Sequence, residues 1–530
     1  MRRPVRAGVL AAALAAGLLA ACGQKGKDAE SVVTRRLEGE PKTLNPILAT
    51  TDPENVVLAL LTRNLLDYDA ALNLVPGLAE SVAVSDDHLA YTVTLREGAR
   101  WEDGKPVTSE DVVYTLRTLA DPKTPALTRK SFWEGLVRVD VVDARVSRAV
   151  FKAPYAGQID AFNLPLLPAA AYRGTDVTTN PRNRNPLANG PYRLATWEAG
   201  RLDLVRNTQY SGPRAGPERV VFRVVPESAP AYEALLAGEL QEMRLTSEQK
   251  KRLDASQPPS AARAIVFDEL MYTYIGWNNA NPLFASPKVR RALTMLIDRE
   301  AIARTLYGGL AKPAAGPVPP GLWTFDPDLK PWPFDPGAAA ALLEAAGFRK
   351  GPDGVRARGR ERLSFAILLG AGSDLQRQIT EVVQQGYRQA GIEMHIRPLE
   401  WSAFASKVDS GEFEACILAL NLDPNPDLYP NWHSSQKPPA GFNTVAYVSP
   451  RADALMDQLR TTFDREKART LYSELQRVIH DDEPVSFLHV GSRRWGIDRR
   501  LEDVRTSPIG LFLFWPGGSA WRMGRGTGPV

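Results

Sequence analysis

Residues Met271 to Arg299 read MYTYIGWNNANPLFASPKVRRALTMLIDR, and this stretch sets the architecture. Tyr272 and Tyr274 alternate with Met271, Ile275 and Trp277, so an extended backbone would turn apolar side chains to both of its faces. A strand of that kind suits a sheet that is covered on each side. After a loop, Ser286 can cap a helix with Pro287 at its first position. Val289, Ala292, Leu293, Leu296 and Ile297 then fall on a single helical stripe.

Working outward, the same mixture of strands and helices recurs. Upstream, Val32 to Leu37 reads as a strand followed by a loop bounded by Pro41 and Pro46. Leu89, Tyr91, Val93 and Leu95 alternate as a half-buried strand, and Asp103-Gly104 supplies a permissive turn. Thr108 with Asp111 three residues on is a capping pair, and Val112, Val113, Leu116 and Leu119 stripe the helix behind it. Val137 to Phe151 and Tyr192 to Val205 read as hairpins, and Val220 to Val225 as a further strand. Downstream, a helix starts at Asp335-Pro336 and ends at Gly347. The strand Phe365 to Leu369, a helix from about Leu375 to Ala390 stopped by Gly391, and a strand holding Ile392, Met394 and Ile396 form a strand-helix-strand unit, whose strands should be parallel. Asp464 opens one more helix that Pro484 stops, after which Val485 to His489 can return the chain to its first lobe.

The 530 residues are 44% hydrophobic and 24% charged, enough for more than one core. The net charge of +4 drops to about +1 if Arg2, Arg3 and Arg6 are removed, and no basic stripe offers a footprint for nucleic acid. Those three arginines precede an apolar run from Ala7 to Ala20 that ends in Leu19-Ala20-Ala21-Cys22. The segment resembles a bacterial lipoprotein cleavage box, which implies cutting before Cys22 and acylation of that residue; a plain secretory signal with a coincidental cysteine is the alternative. More than one acyl chain would hold such a protein firmly at a membrane. Cys416, in an apolar run, is the only other cysteine, so an acylated Cys22 leaves no internal disulfide.

Catalytic constellations are scarce. His88, His395, His433, His480 and His489 show no zinc-type spacing, and there is no strand-elbow serine motif. Gly370-Ala371-Gly372-Ser373 lies between a strand and a helix but lacks a P-loop lysine, so an ordinary turn is favoured over a nucleotide site. No cofactor and no metal are implied. The densest polar cluster runs from Leu422 to Ser435, where Asp423 and Asp427 sit in a proline-stiffened loop followed by Tyr429 and Trp432. Two acids beside aromatic rings can hold a cation; equally, they can cap local backbone amides.

Several runs carry a resemblance. Tyr274 to Asn278, Pro282 to Phe284, Val289 to Ala292 and Ile297 to Arg299, together with Glu40 to Pro46, Leu65 to Asp69, Leu74 to Ser81 and Trp101 to Pro106, resemble the extracellular solute-binding proteins of the oligopeptide, dipeptide and nickel type. Gln241 stands where relatives commonly carry Asp. The resemblance implies an α/β, two-lobed periplasmic-binding-protein-like fold, with an extra subdomain in the first lobe and the ligand cleft between lobes. Its division would be a signal peptide at 1–21, a tether at 22–30, first-lobe segments at 31–75 and 185–277 around the subdomain at 76–184, the second lobe at 278–488, a return at 489–521 and a loose tail from 522. It further implies a lipid-anchored, extracytoplasmic, monomeric receptor for peptides that serves the permease and ATPase subunits of an ABC importer. Asp423 would anchor a ligand's α-amino group, with Asp427 as the second choice, and Trp277, Asn278, Trp401 and Trp432 would lie near the ligand; for each aromatic, plain core burial is the rival reading. Nickel complexes, opines, sugars and cell-wall peptides are rival ligands within the family. A peptidase using Asp423 and Asp427, or a signalling or chaperone-like receptor without transport, are rivals outside it.

Overall fold

The computed structural model describes residues 31–126, 129–439 and 441–524. The predicted signal segment, Cys22 and the chain beyond 524 lie outside them. The decisive stretch is longer than its sequence pattern suggests, for Ala262–Trp277 forms one 16-residue strand. It pairs antiparallel with Val485–Asp498 along most of its length and with Ala415–Asn421 on its other edge. Its two apolar faces serve two different cores: Ile275 and Trp277 enter one cluster of buried residues, and Leu270 and Tyr272 enter another.

Everything else hangs from these two crossing strands. On one side the sheet continues through Ala415–Asn421, Ser364–Gly370 and Glu393–Leu399; on the other, through Glu242–Arg244, Val32–Leu37, Arg219–Val224, Arg201–Arg206 and Tyr192–Glu198. The strand-helix-strand unit forms as its sequence requires. Ser364–Gly370 and Glu393–Leu399 are parallel, and helix Asp374–Ala390 is capped by Ser373 and stopped by Gly391 in the left-handed region.

Strand direction determines where a ligand can sit. Ala262–Trp277 runs from the first lobe toward the second, and Asn421 pairs with Met271 partway along it, so Ala415–Asn421 ends pointing back at the first lobe. Ser364–Gly370 and Glu393–Leu399 run parallel to it. In the first lobe, Val32–Leu37, Arg219–Val224 and Glu242–Arg244 run the opposite way and end facing the second. The carboxyl ends of both sets therefore face each other across the hinge, the position where open α/β sheets bind ligands.

A separate four-stranded sheet, Ala79–Val84, Ala90–Leu95, Val146–Phe151 and Leu136–Val141, builds the extra subdomain with helix Ser109–Ala120 against it. The Thr108 and Asp111 capping box starts that helix, and Asp111 also accepts the Ala169 amide, tying a later loop to the same point. Two details differ from the sequence reading. Val485–Asp498 is a single strand, so the expected limit between residues 488 and 489 falls inside a continuous element. Arg522–Met523, expected in a loose tail, pair with Leu501–Glu502.

Candidate functional site

On the second-lobe side, three turns leave the facing strand ends. The first is Gly370 to Ser373, and its leading glycine has a steric reason. A Cβ there would lie 2.9 Å from the Trp401 ring. Trp401 opens helix Trp401–Asp409, whose first amides are capped by the Glu400 carboxylate, and its side chain stays 61% exposed. The third turn begins where the Leu422 amide bonds the Leu270 carbonyl on the crossing strand, placing Asp423 directly beyond the hinge.

The two acids of this turn are used differently. Asp427 is fully engaged: one oxygen accepts the Tyr429 amide, and the other accepts the Tyr155 hydroxyl at 3.0 Å and lies 3.5 Å from Arg460. Asp423 makes no hydrogen bond or ion pair among the described residues. It is exposed to the gap, yet protein crowds it closely enough that desolvation pushes its carboxyl upward against the pull of Arg129. Asp160 stands nearby and is also pushed up, chiefly by burial and further by Asp423, while hydrogen bonds from the Tyr68 hydroxyl and the Asn425 amide, each 2.6 Å, oppose the shift.

Three of the aromatic and amide candidates lie elsewhere. Trp277 is wholly buried against Phe284 and Phe365, its indole N–H donating to Ser486 at 3.1 Å. Asn278 donates to the carbonyls of Gly411 and Phe413 within the second lobe. Trp432 is 3% exposed and packs on Tyr447 and Phe487. All three belong to the second lobe's framework because that is where its apolar faces meet. Sequence reasoning missed Arg129, Tyr155 and Asp160, which the subdomain carries across to the loop at 422–427, and Tyr68, from the strand Leu66–Tyr68 just before the subdomain. Tyr155 and Asp160 lie 272 and 265 positions from Asp427 and Asn425, and no local pattern marks them.

The first-lobe wall is basic. Arg493 donates to Glu269 at 3.2 Å and Arg244 lies 3.9 Å from the same carboxylate, so two guanidiniums share one acid. No three His, Cys, Asp or Glu side chains among the described residues are gathered to hold a metal ion. No helix among them is long and apolar enough to cross a membrane.

Residues 73–441 match the sequence signature of bacterial extracellular solute-binding proteins, family 5, middle region. The chain belongs to this family. Among curated members, this solute-binding protein is 28% identical over 498 residues to the oligopeptide-binding protein AppA of Bacillus subtilis, covering 89% of this chain and 88% of that one. It is 26% identical to the glutathione-binding protein GsiB of Escherichia coli O157:H7, over 90% and 92% of the two chains. Its fold superposes on AppA of Bacillus subtilis in complex with a nonapeptide with a TM-score of 0.74 at 27% identity, covering 93% of this chain and 99% of that one. A solute-binding protein of this family has two lobes and captures its solute outside the cytoplasm.

Proposed function

We propose that this protein is the receptor of an ABC importer that captures short peptides outside the cytoplasm and delivers them to a membrane permease. The observation that carries the reading is Asp423, an acid without a hydrogen bond or ion pair among the described residues, standing in the gap between facing strand ends. Such a group can pair with a free α-ammonium group, while Arg244 and Arg493, two guanidiniums that share Glu269, keep positive charge to spare for a ligand carboxylate. The names of AppA and GsiB, a peptide binder and a glutathione binder, support the same class of guest. Side chains vary among peptides, so most affinity must come from the ligand's own backbone, laid out in strand-like fashion.

Ligand binding closes the lobes. Moving such a balance from 1:99 to 99:1 takes about 5.5 kcal/mol of differential affinity. Acylation at Cys22 would hold the receptor beside its permease, with the residues before Val32 as tether.

Calorimetry with a peptide mixture tests the reading. The wild type is expected to bind peptides with free amino termini and return them intact, and Asp423→Ala to lose roughly 2–5 kcal/mol of that affinity while melting normally. Unchanged affinity in Asp423→Ala refutes the anchor, and peptides recovered as fragments refute the receptor. Mass spectrometry of the natively purified protein reports any captured solute directly.

A further inference from the structure

The near-neutral total charge conceals one concentrated source of it. Residues 349–362 hold six basic and two acidic side chains, a net +4, against about +1 for the whole chain without Arg2, Arg3 and Arg6. They form a small antiparallel sheet of their own, Arg349–Lys350, Arg356–Arg358 and Glu361–Arg362. Its acids are already taken: Glu361 by Arg358 at 2.6 Å, and Asp353 by Arg362, which also reaches Glu393 at 3.1 Å. Arg349, Lys350 and Arg360 are exposed and have no ion pair among the described residues. Lys350 stands directly across from Arg356, a like-charge pairing that costs stability rather than adding to it. Lys350 and Arg356 also border an apolar groove of about 390 Å³ between helices Pro336–Ala345 and Asp374–Ala390. At this groove Phe334 is 50% exposed and Val382 41%.

We infer that this basic sheet and the groove beside it are a contact surface for an anionic phospholipid bilayer. Basic side chains around exposed apolar ones suit a lipid interface, where cations meet headgroup phosphates and apolar groups enter the boundary beneath them. The Leu363 amide bonds the Arg356 carbonyl and the Glu393 amide the Leu363 carbonyl, so the surface lies at the amino ends of Ser364–Gly370 and Glu393–Leu399. Those ends point away from the cleft, and the contact is independent of what the cleft holds. The choice of a bilayer over another polyanion rests on acylation at Cys22. Only ten residues, Cys22 to Ser31, would separate the acyl chains from Val32, ~35 Å when extended, so the membrane is the charged surface always within range. Val32–Leu37 belongs to the first lobe and the basic sheet to the second. The two attachments together hold the receptor along the membrane instead of letting it swing on its tether.

The test is flotation of the mature chain carrying Cys22→Ser, and so without acyl chains, which gives loss of the anchor and loss of the patch separate results. Vesicles of phosphatidylglycerol and phosphatidylcholine in equal parts are compared with vesicles of phosphatidylcholine alone. The anionic vesicles are expected to carry the protein at low salt and release it as salt rises, and the neutral ones to bind roughly tenfold or more weaker. The combined variant Arg349→Gln, Lys350→Gln and Arg360→Gln should lose about a hundredfold in affinity for the anionic vesicles and flatten the salt dependence. Phe334→Ser should weaken binding severalfold and leave the salt dependence as it was. All four side chains are exposed and distant from the cleft, so melting temperature and calorimetric peptide affinity should stay at the wild-type values. Equal binding to both kinds of vesicle, or a combined variant that floats like the wild type, overturns the contact. Binding to a polyglutamate peptide and to neither vesicle also overturns it, and gives the patch to an acidic protein partner.

Discussion

Asp423 and Asp427 lie four residues apart in one loop, and their surroundings set them different tasks. Asp427 is occupied by an amide, a phenol and a guanidinium, and Asp423 faces the gap with Arg129, Tyr68 and Asp160 about it. An ammonium ligand needs Asp423 ionised, and burial has raised its pKa. Peptide affinity is therefore expected to decline on acidification from a pH above the usual carboxylate range, and Asp423→Asn to abolish that decline; titration calorimetry across acidic pH reads both. Trp277 makes the complementary case. Its truncation to alanine should cost about 3–5 kcal/mol of stability by emptying a core site, with peptide affinity of the folded fraction unchanged. Glu483 tests stability itself. It is buried, bonded by Thr294 and Trp332, and burial lifts its carboxyl from 4.5 to about 7. The folded protein thus keeps a proton that the unfolded chain releases, so this contribution is intact below 4.5 and is lost as pH rises through about 7. Glu483→Gln should flatten that fall in denaturant unfolding.

Elements show what was legible in the sequence and what was not. Alternation at 271–277, the capping pair Thr108 and Asp111, and the glycine stop at 391 are local signals, and each produced the element its chemistry requires. The loop at 422–427 was legible as a polar cluster, but the partners that divide its labour come from the subdomain and meet it only through tertiary folding. Trp277 and Trp432 mislead for a related reason: aromatic residues beside a cleft and aromatic residues beneath it have the same local pattern. The bonds of Tyr155 to Asp427 and of Asn425 to Asp160 join the subdomain to this loop. Tyr155→Phe and Asn425→Ala should each weaken that junction by about 1 kcal/mol, read as lower stability in denaturant unfolding. Gly370→Ala forces the Trp401 ring aside and should weaken peptide binding more than it lowers the melting temperature.

Across the whole molecule, the two crossing strands join the lobes and leave neither self-sufficient. A fragment spanning residues 278–488 would leave Ala415–Asn421 without its partner along Ala262–Trp277 and should fail to give dispersed amide resonances. The first lobe is split more widely still. Glu242–Arg244 pairs with Val32–Leu37 on one edge and with Val485–Asp498 on the other, and Val33 shares a core with Ile497, Leu511 and Trp521. A ribosome must deliver almost the entire polypeptide before that core can assemble, so Val33 waits for the far end of the chain to cover it. A chain that leaves its own beginning unfinished until its end arrives remains threadable, which is what passage through a narrow membrane pore demands.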